Sequence, residues 1–147
     1  MNEELELFRE NVNRFVQTEV IPHYEQWEKA EIFPRELWNK LGEQGLLCVD
    51  IPESYGGFGT DFLFSMVIAE AFSHANCGAV GGPMAVHSDI VAHYLLNNGT
   101  EEQKQHYLPK MVSGECVGAV AMTEPGAGSD LQLSLIHISE PTRPPLL

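Results

Sequence analysis

The chain has 147 residues, 44% of them hydrophobic and 20% charged, a balance that excludes a disordered, collagen-like or low-complexity class. Eight Lys and Arg against 21 Asp and Glu leave a net charge of −13, so neither a nucleic acid nor an anionic membrane is an expected partner. For the same reason, a phosphate-bearing ligand would have to be held by backbone amides and helix ends.

The N-terminus, Met1-Asn2-Glu3-Glu4-Leu5-Glu6, is acidic and has no apolar signal-peptide core. The apolar run from Gly78 to Val86 is far shorter than the ~20 residues of a membrane span. The expectation is a soluble, intracellular chain. Leu5, Phe8, Val12, Phe15 and Val16 recur at helical steps and predict an amphipathic first helix, interrupted at Pro22 and resumed from His23 to Glu31. Pro34 stands at a helix start; Leu37, Trp38 and Leu41 form the buried face, and Gly45 is the stop. From Leu46 to Thr60, Pro52, Gly56, Gly57 and Gly59 predict an ordered loop. Asp61 caps a helix running to about Cys77, with Phe64, Val67, Ile68, Ala71 and Phe72 facing inward. Another helix runs from about Pro83 to Leu96. Thr100-Glu101-Glu102-Gln103 is a capping box that opens a helix to about Val112.

The period then changes. Cys116-Val117-Gly118-Ala119-Val120-Ala121-Met122 is short, apolar and valine-rich and predicts a buried strand, leading into Thr123-Glu124-Pro125-Gly126-Ala127-Gly128-Ser129-Asp130. Pro125 fixes one φ angle, while Gly126 and Gly128 permit positive φ and close backbone approach. Successive amides in such a turn can form an anion-binding nest, and Thr123 and Ser129 add hydroxyls. By chemistry alone the stretch reads equally well as a glycine-rich turn at a domain boundary. It is not a dinucleotide fingerprint, because the third glycine and the βαβ context are missing.

Other candidates carry less. Cys48, Cys77 and Cys116 lie far apart with no CxxC pair and read as buried free thiols. His23, His74, His87, His93 and His106 have no metal-ligand spacing, so no metal site is expected. Trp27 and Trp38 read as core or interface. Glu124 could be named a base, but reads better as a structural carboxylate.

Ala121-Met122-Thr123-Glu124-Pro125-Gly126-Ala127-Gly128-Ser129-Asp130 resembles the flavin-binding signature of the acyl-CoA dehydrogenase family. Val20-Ile21-Pro22, Gly45-Leu46-Leu47, Ile51-Pro52-Glu53 with Tyr55-Gly56-Gly57-Phe58-Gly59, and Gly99 to Lys104 resemble further family landmarks in the same order, over residues 3–132. His87-Ser88 and the segment from Met122 to Gln132 lean toward the long-chain type. The resemblance implies a mainly α chain: an N-terminal helical domain over residues 1–115, then the first strand of a truncated middle β-domain with the flavin signature over 116–132. It also implies FAD as cofactor, an acyl-CoA substrate dehydrogenated across Cα–Cβ, electron-transfer flavoprotein as acceptor and a homotetrameric parent. The location would be cytoplasmic in a bacterium and the mitochondrial matrix in a eukaryote. Position by position, the backbone of Val120, Ala121 and Met122 would pass along the flavin ring. Thr123 would meet its pyrimidine edge. Glu124, Pro125, Gly126, Ala127, Gly128 and Ser129 would complete the cofactor segment, with Ser129 also near the thioester substrate. The helix from Gly81 to Ile90 would line the acyl cavity, where Gly81, Gly82 and Ala85 leave room, although small residues serve helix packing at least as often.

No catalytic residue is assigned within the chain, because the family's glutamate base would lie beyond it. After Gln132 the match stops: residues 133–147 resemble a translated frame of a transposase-type sequencing adapter and are expected to be read-through rather than natural protein, leaving the chain inactive by itself. Two other readings are a flavin acyl-CoA oxidase of the same fold and a non-catalytic helical interaction module.

Overall fold

The computed structural model describes residues 3–123, 128 and 129, and among them the regular structure is helical. The first expected helix is α1 (Glu3–Phe15), which continues through a π turn (Val16–Val20) into α2 (Ile21–Ala30). Pro22 therefore does not break the rod. It falls in the first turn of α2, and the wider π turn just before it, where the Ile21 amide bonds back to Val16 O, accommodates the proline ring and its missing N–H. Then follow α3 (Glu36–Glu43), a 3₁₀ turn (Glu53–Tyr55), α4 (Phe62–His74), α5 (Gly78–Ala85), a second π turn (Val86–Val91), α6 (Ala92–Asn98) and α7 (Glu101–Val112). The helix expected to start at Pro83 begins one turn earlier, at Gly78, and carries Pro83 within α5.

The helix ends follow the expected chemistry. Asp61 accepts from the Leu63 amide at 2.9 Å, and Thr100 and Gln103 form both bonds of the capping box. Gly45, at φ +65°, closes α3: its amide reaches Gly42 O at 2.9 Å and the Leu46 amide reaches Leu41 O at 2.9 Å. Asn76, at φ +55°, repeats this at the end of α4, with the Cys77 amide on Phe72 O. A left-handed asparagine can serve there because its short polar side chain tolerates that region.

The core lies where α1 packs on α4 and α4 on α5, with Val12, Phe15, Val67 and Phe72 buried and Phe8 against Phe64 at 5.0 Å between ring centroids. Leu37, Trp38 and Leu41 of α3 are buried, as their spacing requires. The 46–60 segment is more than a loop. Leu46, Leu47, Cys48, Val49 and Ile51 are all buried, so its first half is core. Gly57 makes that possible, because a Cβ there would stand 1.9 Å from Ile51 O. No described helix is long and apolar enough to cross a membrane.

The expected strand over residues 116–122 does not form. Residues 117–123 carry neither helix nor strand, and Val117 and Met122 are exposed rather than buried. A strand exists only through hydrogen bonds to a neighbour, and none of the described residues offers one.

Candidate functional site

The residues to be placed are 120–129, and what places them is the connector leaving α7. Gly114, at φ +75°, turns the chain after the helix; a Cβ there would stand 2.1 Å from Trp38 O, so only glycine fits. The Arg35 guanidinium then donates to Gly114 O and Glu115 O, both at 2.6 Å, and the Cys116 amide donates to Lys110 O at 2.9 Å. Arg35 thus satisfies two successive carbonyls of the connector.

The last hydrogen bond of the connector among the described residues is to His87. The Gly118 amide donates to Nδ1 at 2.9 Å, and Nε2 lies 3.1 Å from Met111 O. A carbonyl only accepts, so the proton sits on Nε2 and Nδ1 is bare: the ring is neutral with its tautomer fixed from both sides. Burial pushes its pKa below the ordinary 6.5; the bond to Met111 opposes this, and the nearby Arg35 charge adds to the lowering. Trp38 meets the ring edge-on at 5.2 Å and Cys48 Sγ lies 3.6 Å from Nε2. The chain passes close by, since a Cβ on Gly118 would stand 2.6 Å from Val91 Cγ1.

His87 and Ser88 are both buried although they are adjacent, and they sit in the second π turn. With more residues per turn, successive side chains diverge less, so two neighbours can point inward. Ser88 Oγ accepts from the Cys48 amide at 3.0 Å, which holds Cys48 in the left-handed region at φ +51°. Burial raises the Cys48 thiol to about 12, against the opposing bond to Ser88, which makes it an inert core thiol.

A second feature is a cavity of about 330 Å³ between α4, α5 and the 46–49 segment. Gly81, Gly82 and Ala85 line it, but the two glycines differ in what surrounds them. A Cβ on Gly81 would stand 2.9 Å from Phe72 Cβ, whereas one on Gly82 meets nothing within 4 Å. Gly81 serves packing and Gly82 leaves room. Asp89, half-buried at the wall, bonds Ser65; burial raises its pKa, Ser65 opposes, and the Asp50 charge adds to the rise.

Of the predicted cofactor residues, Val120 is half-buried and Ala121, Met122 and Thr123 are exposed, with no hydrogen bond to another described residue. Gly128 and Ser129 are exposed and lie in a bend. Glu124, Pro125, Gly126 and Ala127, and residues 130–147 with the adapter-like tail, lie outside the described residues. The sequence reading missed Arg35 and His87 as anchors.

The model for the acyl-CoA dehydrogenase N-terminal domain matches residues 2–115. The chain belongs to the acyl-CoA dehydrogenase family. It is 51% identical over 129 residues to the mitochondrial long-chain specific acyl-CoA dehydrogenase of Sus scrofa, covering 88% of this chain and 30% of that protein. It is 44% identical over 126 residues to the mitochondrial isovaleryl-CoA dehydrogenase of Solanum tuberosum, covering 84% and 30%. The crystal structure of the Bacillus anthracis acyl-CoA dehydrogenase complexed with FAD superposes with a TM-score of 0.81 at 39% identity, over 90% of this chain and 22% of that one. The chain thus spans about 30% of the length of the curated relatives it matches, and the helices described above make up the N-terminal domain of the acyl-CoA dehydrogenase fold.

Proposed function

We propose that this chain is the N-terminal part of an FAD-dependent acyl-CoA dehydrogenase, which oxidises the Cα–Cβ bond of an acyl-CoA thioester and passes the electrons to an electron-transfer flavoprotein. The observation that carries this reading is the placement of residues 119–123. They leave the Arg35 and His87 anchors, Ala121 to Thr123 being exposed and without a hydrogen bond to another described residue, and run directly into the signature ending at Asp130.

The residues present fit the group. Neutral amides and hydroxyls suit a cofactor that carries a pyrophosphate into a chain of net charge −13. Among the described residues, nothing lies within 4 Å of where a Cβ on Gly128 would stand, which supports close approach of a ligand to its backbone. Val120, Ala121 and Met122 would line the ring through their backbone. Thr123 would donate through amide and hydroxyl to the pyrimidine edge, and the segment from Glu124 to Ser129 would hold the pyrophosphate. FAD, when bound, supplies a two-electron acceptor for hydride. The protein tunes that chemistry through hydrogen bonds such as those of Thr123. Ser129 would in addition approach the thioester, and the cavity beside Gly82 and Ala85 would take the acyl chain.

The base is assigned to residues beyond this chain, the parent is read as a homotetramer, and residues 133–147 are read as adapter-derived sequence. The parent would work in the cytoplasm of a bacterium or the mitochondrial matrix of a eukaryote. Recovering the gene across the junction at Gln132 by a library-free method tests the last of these readings: an uninterrupted native codon run for 133–147 defeats it. Acyl-CoA-dependent reduction of an artificial acceptor, with and without oxygen, tests the activity of the recovered protein. Turnover that needs oxygen as acceptor would make it an oxidase instead.

A further inference from the structure

We propose that His87 is a positioning residue: as the neutral, Nε2-protonated imidazole it fixes the direction in which the cofactor segment leaves the helical domain, and on protonation it lets that segment go. This rests on the reading of residues 120–129 as the flavin-contacting segment, while the contact itself lies wholly among described residues.

Three contacts hold the connector in sequence. Arg35 binds the carbonyls of Gly114 and Glu115, Lys110 O takes the Cys116 amide, and His87 Nδ1 takes the Gly118 amide. The first two fix where the connector starts. Only the third lies within two residues of Val120, so it governs the exit. The ring cannot yield by turning, because it is fully buried, bonded to Met111 O on its far side and wedged against Trp38. Gly118 cannot back away toward the second π turn either, since Val91 closes that side.

Protonation would place a hydrogen on Nδ1, facing the hydrogen of the Gly118 amide. An acceptor–donor bond would become a donor–donor contact in a buried site, and the connector is the part free to move. The groups around the ring do not compensate. From α3 comes the Trp38 indole, from the residue before that helix the Arg35 cation, from the 46–49 segment the Cys48 thiol, from α7 the Met111 carbonyl, and from the connector the Gly118 amide. None is a carboxylate, and the one full charge is positive. The partners instead select the neutral form: a carbonyl on one nitrogen and an amide donor on the other.

The test uses the ¹⁵N-labelled 147-residue chain without flavin. At pH 7.5, long-range imidazole correlations should show His87 with Nε2 protonated and Nδ1 bare; the other tautomer, or a cation, overturns the proposal. Gly118 amide exchange, corrected for intrinsic rate, should speed up at least tenfold between pH 7.5 and pH 5.0 while that of Val67 in α4 does not follow; equal changes overturn it. In His87→Asn the amide oxygen stands where Nδ1 stood, so Gly118 protection should stay within about threefold. In His87→Gln the polar end stands at the Nε2 place, and Gly118 protection should fall at least tenfold. Identical behaviour of the two variants contradicts a positioning role. If either variant fails to fold, the tautomer and the pH response of the unsubstituted chain decide alone. Failure of FAD uptake by the full-length protein would leave these results standing, and failure here would leave the flavin reading standing.

Discussion

Gly81 and Phe72 are in backbone-close contact: a methyl group on Gly81 would stand 2.9 Å from Phe72 Cβ, so the glycine is what lets α5 lie down on α4. One residue on, Gly82 faces open space. Two adjacent glycines of one helix thus have opposite reasons. Gly81→Ala is expected to cost about 1–3 kcal/mol through overpacking, partly offset by alanine's better helix propensity. Gly82→Ala is expected to gain up to about 1 kcal/mol. Urea midpoints of the two variants should move in opposite directions; a common sign contradicts the packing assignment.

The connector anchor makes a second pair. Arg35→Met removes two carbonyl bonds and is expected to cost about 1–3 kcal/mol. Gly114→Ala should cost at least as much, because it meets both a positive φ and the Trp38 carbonyl. Both should leave the helix content at low urea unchanged in far-ultraviolet circular dichroism. Urea unfolding read by tryptophan fluorescence gives the cost, and a neutral Gly114→Ala would refute the steric argument.

Stability should depend on pH below neutrality. His87 has its folded pKa lowered from 6.5, chiefly by burial. Its unfolded form therefore binds the proton first, so stability is full above about pH 6.5 and declines as pH falls from there toward the folded value. Asp89 has the opposite sign of slope: its folded pKa is raised from 3.8 by burial, so its contribution is largest in acid and is lost as pH rises through the folded value. Glu70, lowered by its bond to Arg9, and Glu101, lowered by Gln105 and Tyr55, act only below the carboxylate value of 4.5. Urea midpoints from pH 5 to 8 should fall toward pH 5 for the parent chain and lose that fall in His87→Asn. Asp89→Asn should raise the midpoint at pH 7 while leaving the slope from His87. A His87→Asn profile as steep as the parent's would contradict this assignment.

The thiols should react unequally. Cys48 is fully buried with its pKa at about 12, and Cys77 is buried with its pKa raised mainly by burial, whereas Cys116 is half-exposed. An aromatic disulfide reagent at pH 8 should modify Cys116 in the native chain and the other two only on unfolding. Mass spectrometry locating the label on Cys48 in the folded protein would contradict the burial of that side chain.

Much of the helical domain could be read from the chain because its signals are local. Asp61, Thr100 with Gln103, and Gly45 each act within a turn, and they ended or began helices where expected. The π turns could not be read that way, since a 3.6-residue period continues through Val16–Val20 and Val86–Val91 without visible interruption. That hid the paired burial of His87 and Ser88, and with it the anchor of the connector. The apolar run Leu46-Leu47-Cys48-Val49 was legible as core but was overshadowed by the glycines after it. The valine-rich strand failed for a non-local reason: its ladder needs a partner strand that the described residues lack. For Thr123, sequence supplied the signature and the structure supplied a surface position beside an anchored connector.

FAD content of the full-length protein, encoded by the gene recovered across Gln132, tests the functional account most directly. The account predicts folded, yellow protein holding about one FAD per chain, with occupancy or affinity reduced in Thr123→Val. A folded full-length protein that takes up no FAD when it is supplied would contradict it.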